Sequence, residues 1–173
     1  MKYFAYGSNM LRERLLKRVP GATVIGLASA RGRVLRFHKK SDDGSAKCDL
    51  AETQRDDDQA WGVLFGIPED QIAALDDAEG LGKGYAREVI QVRVEDGQAI
   101  ESAVYLATPE AVVPTLQPYD WYHSLVVAGA RQNNLPAPYI EAIEAAPSIP
   151  DPMPRRKTRL EALEVLAAAA RKP

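Results

Sequence analysis

Strand-like and helix-like sequence are segregated along this chain. Six short segments of strand character fall between Ala22 and Ala107, and everything after them is helical in pattern. The segments are Val24 to Ala28, Arg33 to Phe37, Asp49 to Thr53, Ala60 to Ile67, Arg87 to Val94 and Glu101 to Ala107. Turn clusters such as Ser41-Asp42-Asp43-Gly44 and Glu95-Asp96-Gly97 separate several of them. Strands followed by helices specify an α+β fold and argue against an alternating parallel α/β sheet. Short strands with one buried face can close into a small barrel or stay open, and periodicity alone leaves both possible.

Ahead of the strand block, Tyr3 to Tyr6 reads as a further buried strand, broken by Gly7-Ser8-Asn9. A helix is expected from Met10 to Val19, with Ser8 or Asn9 as its cap and Pro20-Gly21 as its stop. Within the strand block, Pro68 to about Ala78 begins with proline and acids, good chemistry for a short helix. Later helices are expected at Trp121 to Gln132, capped by Asp120, and at Pro136 to Glu144. Four prolines between Pro147 and Pro154 mark an extended linker, and Thr158 with Glu161 has capping-box spacing for a last helix to Arg171. The 173 residues suit one domain over 1–146 with an appendage, a proline-rich linker and C-terminal helix over 147–173.

Composition narrows the function classes. The formal charge is −2, with acids and bases interleaved, so no basic face for nucleic acid is expected. No apolar run approaches the roughly 20 residues needed to span a bilayer, and the N-terminal apolar stretch is too short for a signal peptide. One cysteine, Cys48, excludes an intrachain disulfide and favours a reducing compartment. The expectation is a cytoplasmic protein without membrane or nucleic-acid partners. His38 and His123 lack metal-ligand spacing, so no metal is expected. Gly80, Gly82 and Gly84 form no phosphate or dinucleotide fingerprint.

Two places can carry chemistry. At Gly7-Ser8-Asn9, first-turn amides of a helix starting at Met10 would attract an anion. The alternative is a plain capped turn. At Glu79, a helix running far enough places the carboxylate in line with Ile72 and Leu75, half out of water. A carboxyl held there can serve as a general acid or base. The alternative is an earlier helix end and a solvated acid, like Asp76 and Asp77. Tyr3, Tyr6, Tyr85, Tyr119, Tyr122 and Tyr139 can each bond a ligand or sit in the core with the hydroxyl on a backbone carbonyl.

Together these residues resemble one family. Phe4-Ala5-Tyr6-Gly7-Ser8-Asn9-Met10 resembles the N-terminal signature of the γ-glutamylcyclotransferase-like superfamily, which includes the AIG2-like proteins. Trp61-Gly62-Val63-Leu64-Phe65 resembles its central strand. Leu75-Asp76-Asp77-Ala78-Glu79-Gly80 with Gly84-Tyr85-Ala86-Arg87 resembles the segment holding its acid. The likeness spans about Tyr3 to Ile143 and stops before the tail. It implies a small mixed β-barrel with flanking helices and a cofactor-free reaction, in which a γ-glutamyl amine or amino acid cyclises to 5-oxoproline. It implies Glu79 as proton shuttle, Tyr6, Gly7, Ser8 and Asn9 as the loop around the glutamyl head, and Tyr85 and Tyr122 as pocket walls. The competing reading is a non-catalytic module that binds a small carboxylate in the same barrel mouth. The oligomeric state and the released group are left open.

Overall fold

The computed structural model describes residues 1–171; Lys172 and Pro173, the end of the expected C-terminal segment, lie outside the described residues. The strands are β1 (Lys2–Ala5), β2 (Thr23–Arg31), β3 (Arg33–Lys40), β4 (Ala46–Glu52), β5 (Gln59–Gly66), β6 (Tyr85–Val94) and β7 (Ala99–Ala107). Five of them close a barrel in the order β1-β5-β2-β6-β7, and β3 with β4 forms a separate two-stranded ribbon. The barrel is mixed, because β1 runs antiparallel to β5 but parallel to β7, pairing Tyr3 with Ala103. Closure removes the exposed edges that an open sheet of these strands would carry. Every expected strand is present, and several run longer than the sequence suggested, with β2 extended to Arg31 and β3 to Lys40.

The helices are α1 (Arg12–Arg18), α2 (Ile72–Glu79), α3 (Asp120–Gln132), α4 (Ala137–Glu144) and α5 (Lys157–Ala169). One contiguous core joins the barrel to them. Phe4, Leu64, Phe65 and Tyr105 from the strands pack with Met10, Leu15, Leu75 and Leu125 from the turn and helices, all buried.

Three local expectations are corrected. The helix expected from Met10 is instead a 3-10 turn over Ser8–Met10, an extended residue at Leu11, and α1 from Arg12. Neither Ser8 nor Asn9 caps it, because both side chains are engaged elsewhere: Arg14 Nε donates to Ser8 Oγ at 3.0 Å and Arg18 NH1 to Asn9 Oδ1 at 3.0 Å. Asp120 lies inside α3, whose cap position is Tyr119, although Asp120 Oδ1 still accepts from the Trp121 amide at 2.7 Å. The Thr158–Glu161 capping box does not form, since α5 starts at Lys157 and leaves Thr158 within the helix.

The proline-rich stretch is extended and docked on the body. The Ile149 amide donates to Pro118 O at 3.0 Å, and the Asp120 amide donates to Ile149 O at 2.9 Å. Behind it, Ala162 and Val165 of α5 join the buried core. The two parts meet at Asp151, which accepts from Trp121 Nε1 at 2.9 Å, Arg156 Nε at 2.8 Å and the Met153 amide at 2.8 Å. Burial alone would raise its pKa. The hydrogen bonds from Arg156, Met153 and Trp121 outweigh burial and hold the carboxyl at about 2.

An Asp whose folded pKa is depressed stabilises the fold above its unfolded pKa of ~3.9, and that contribution drains away as pH falls toward the folded value. The Asp151 anchor is therefore full at neutral pH and lost between about pH 4 and about pH 2. Asp151→Ala is expected to speed limited proteolysis of residues 147–156 several-fold at pH 7. Identical cleavage rates for the variant and the unaltered chain would refute this anchor.

Candidate active site

One end of the barrel carries a small notch of about 30 Å3, lined by Tyr3, Tyr6, Gly7, Ser8, Asn9, Cys48, Glu79, Tyr85, Tyr105 and Tyr122. Each residue named from the sequence as catalytic or substrate-binding is on that wall. They come from distant parts of the chain. The end of β1 and its turn supply Tyr6 to Asn9, the end of α2 supplies Glu79, the start of β6 supplies Tyr85, and α3 supplies Tyr122.

Glu79 is the last residue of α2 and is half-buried. The helix ends there because Gly80 takes the left-handed conformation, at φ 72° and ψ 47°, which costs a residue with a Cβ about 1–2 kcal/mol. The Leu81 amide then returns to Asp76 O at 3.0 Å and the Gly80 amide to Asp77 O at 3.1 Å, satisfying the last carbonyls in a Schellman closure. One face of α2 is thus fixed against the barrel. From it Asp76 accepts from Tyr105 OH at 2.6 Å and from Arg87 NH1 at 2.8 Å.

The Glu79 carboxylate meets the first turn. Its Oε1 accepts from Asn9 Nδ2 at 2.5 Å and from Tyr3 OH at 2.6 Å, across 70 and 76 positions of sequence. Its other oxygen, Oε2, takes no hydrogen bond among the described residues. Asn9 therefore reaches the site through its side chain, where the sequence reading had assigned its backbone. Burial, reinforced by the Glu79 charge, pushes the Tyr3 hydroxyl well above its ordinary pKa and keeps it a donor.

Among the described residues the Ser8 and Asn9 amides take no backbone acceptor. The first hydrogen bond of the 3-10 turn is Met10 N–H to Gly7 O at 3.0 Å, so the Ser8 and Asn9 amides precede it. The tyrosine hydroxyls are mostly committed to backbone. Tyr6 OH donates to Tyr105 O, and Tyr85 OH donates to Cys48 O. Tyr122 OH accepts from the Cys48 amide at 3.1 Å. The Tyr85 bond ties the ribbon strand β4 to the barrel, the Tyr122 bond ties it to α3, and all three make the rings rigid walls. Cys48 itself is buried, and burial pushes its thiol up to about 12, so it is not a nucleophile at neutral pH.

The sequence reading assigned no site role to Cys48, Tyr105 or Asp76, and left Tyr3 undecided between core and ligand. For Asp76 a signal existed, since it lies three residues before Glu79 on the same helix and so shares its face. The partners of Tyr3 depend on barrel closure, which no local pattern encodes.

Outside the notch lies a cleft of about 340 Å3 that shares Ser8, Glu79, Tyr85 and Tyr122 with it. Arg14, Arg18, Lys39, Lys47 and Lys83 also stand on the cleft wall, with Asp42, Asp43 and Asp77. A larger groove of about 1090 Å3 runs between α1, α3 and α5 but does not reach Glu79. Among the described residues no group of His, Cys, Asp and Glu is arranged to hold a metal ion.

Comparison with known proteins places this geometry in a family. A family model described as the AIG2-like family matches residues 59–143. Over 153 residues the chain is 31% identical to the γ-glutamylcyclotransferase of Homo sapiens, covering 83% of this chain and 77% of that one. Identity to the Mus musculus γ-glutamylcyclotransferase is 33% over the same length and coverage. A solved structure of a γ-glutamyl cyclotransferase superposes with a TM-score of 0.83 at 26% identity, covering 97% of this chain and 98% of the other. With its mixed five-stranded barrel, flanking helices and aromatic notch, this chain belongs to the AIG2-like γ-glutamylcyclotransferase superfamily.

Proposed function

We propose that the protein catalyses intramolecular aminolysis of a γ-glutamyl amine or amino acid, releasing 5-oxoproline, with Glu79 as its proton shuttle. The observation that carries this reading is the Glu79 carboxylate: Oε1 is fixed by Asn9 and Tyr3, and Oε2 takes no hydrogen bond from the described residues at the wall of a notch. A carboxylate oriented through one oxygen keeps a basic lone pair on the other. The relatives named γ-glutamylcyclotransferase support the same reading.

The substrate's α-amine arrives as an ammonium. Glu79 Oε2 takes one proton, and the freed nitrogen attacks the γ-carbonyl of the same molecule. The attack makes a C–N bond and moves the carbonyl electrons onto oxygen, where the Ser8 and Asn9 amides can receive the charge. Glu79 hands that proton to the leaving nitrogen and collapse expels it as the amine; the carboxylate then takes the second proton from the new ring nitrogen and passes it to the amine. The products are 5-oxoproline and the released amine as its ammonium, so both protons lost by the α-nitrogen end on the leaving nitrogen, without water or a cofactor. The nucleophile is tethered, so a pocket that holds the chain folded supplies much of the rate. The rings of Tyr6, Tyr85 and Tyr122, immobilised through backbone hydrogen bonds, suit that task. The single buried thiol supports a reducing, cytoplasmic setting for the reaction.

Glu79→Gln is expected to lower kcat/KM for release of 5-oxoproline by about 10²–10⁴-fold, the usual worth of a general acid–base group, with the circular dichroism spectrum unchanged. Retained turnover in a folded variant would end the assignment. If no member of a broad γ-glutamyl panel yields 5-oxoproline while a ligand still binds, the non-catalytic carboxylate-binding reading takes its place. Asn9→Asp tests the orientation independently. It sets a second carboxylate beside Glu79, which disfavours the ionised base. The acid limb of the kcat/KM–pH profile is therefore expected to move to higher pH, and an unmoved limb would rule out Asn9 as the partner of the titrating group.

A further inference from the structure

The cations of the outer cleft are not equivalent. Lys47 is neutralised by Asp43 at 2.7 Å. Arg14 and Arg18 hold the turn through the neutral acceptors Ser8 and Asn9. Lys39 is only 6% exposed, yet no carboxylate forms an ion pair with it among the described residues. Its Nζ donates to Lys83 O at 3.0 Å and lies 4.5 Å from the centre of the Tyr85 ring. An ammonium has three donors, and this one has a single hydrogen-bond acceptor among the described residues. Asp42, Asp43 and Glu79 act on it only across space, and burial lowers its pKa. Buried charges are ordinarily paired; Lys39 shares with Arg14 and Arg18 the lack of a carboxylate contact among the described residues, but of the three it is the one that stands over the Tyr85 ring.

Several local features hold Lys39 in that place. A register shift between Phe37 and Lys39 makes His38 the extra residue of a β-bulge, and bulges re-aim side chains. His38 Nε2 then pairs with Asp49 at 2.8 Å, while Lys39 turns to the cleft. Lys39 also bridges Val112 across the end of the ribbon. Gly84, at φ +90°, leaves room for it, since a Cβ there would stand 3.0 Å from Lys39 Cε. The ammonium stands beside Tyr85, on the wall of the cleft that shares Glu79 with the notch, where the released part of a substrate lies if the glutamyl head reaches into the notch.

We propose that Lys39 is a specificity-determining residue whose ammonium receives a carboxylate on the released portion of the substrate. The inference rests on reading the notch as the site of the glutamyl head, but not on turnover. It selects γ-glutamyl amino acids over γ-glutamyl alkylamines, which present no anion to Lys39.

The test is binding, measured by titration calorimetry on Glu79→Gln protein so that neither ligand is consumed. γ-Glutamylalanine is expected to bind about 10–100-fold more tightly than γ-glutamylethylamine, the worth of one charge-assisted hydrogen bond. Adding Lys39→Met should abolish that preference by weakening γ-glutamylalanine alone. Lys39→Gln, which keeps a donor for Lys83 O without the charge, should lose the preference too, and Lys39→Arg should keep part of it. The proposal is overturned if the preference is absent, if it survives in both uncharged variants, if both ligands weaken equally, or if neither binds. Binding with this preference, but no 5-oxoproline from the unaltered protein, would refute the reaction and leave the Lys39 assignment standing.

Discussion

The hydrogen bonds from Asn9 and Tyr3 to one oxygen of Glu79 are the constraint around which the site is organised. They join β1 and its turn to the end of α2, elements with no sequence proximity. Both donors are backed by further contacts. The amide oxygen of Asn9 is held by Arg18, and the Tyr3 ring packs edge-on against Tyr105 at 5.8 Å. The acid is therefore oriented by groups that are themselves fixed, which is how a geometry is kept to within a fraction of an ångström.

A second set of bonds brings the ribbon to the barrel. The ribbon shares no ladder with the barrel strands. Its attachment near the notch runs through the hydroxyls of Tyr85 and Tyr122, both on the backbone of Cys48, and through Asp49 Oδ1, which accepts from the Ala107 amide at 2.8 Å. The tyrosines thus act chiefly as struts. They wall the notch because the ribbon must be hung from something polar where no strand partner exists.

Much of this was legible in the sequence. The succession of short strands and then helices sufficed for α+β, and the seven residues named for the site do converge. Convergence was carried by the resemblance, because nothing local links Gly7 to Glu79. The errors have a common physical origin. Ser8 and Asn9 looked like helix caps, and they would cap if their side chains were free. Arg14, Arg18 and Glu79 occupy them instead. Thr158 and Glu161 had capping-box spacing, but α5 starts ahead of Thr158, beside Arg156 on Asp151. Lys39 received no reading from the sequence, since a bulge is invisible to a reading built on strict alternation. Tertiary competition for short polar side chains is what a one-dimensional pattern omits.

The parallel pairing of β1 with β7 has a consequence for how this chain is born. Among the barrel strands β1 is made first, and it finds its neighbours only when Gln59–Gly66 and then Ala99–Ala107 have followed. Until then Tyr3 and Phe4 have no shelter, and the contacts that bury them span most of the barrel's length, a topology associated with slow folding and transient exposure. The β1–β7 seam can form only once Ala99–Ala107 has been made, so the notch, which takes Tyr105 from β7, is completed late in synthesis.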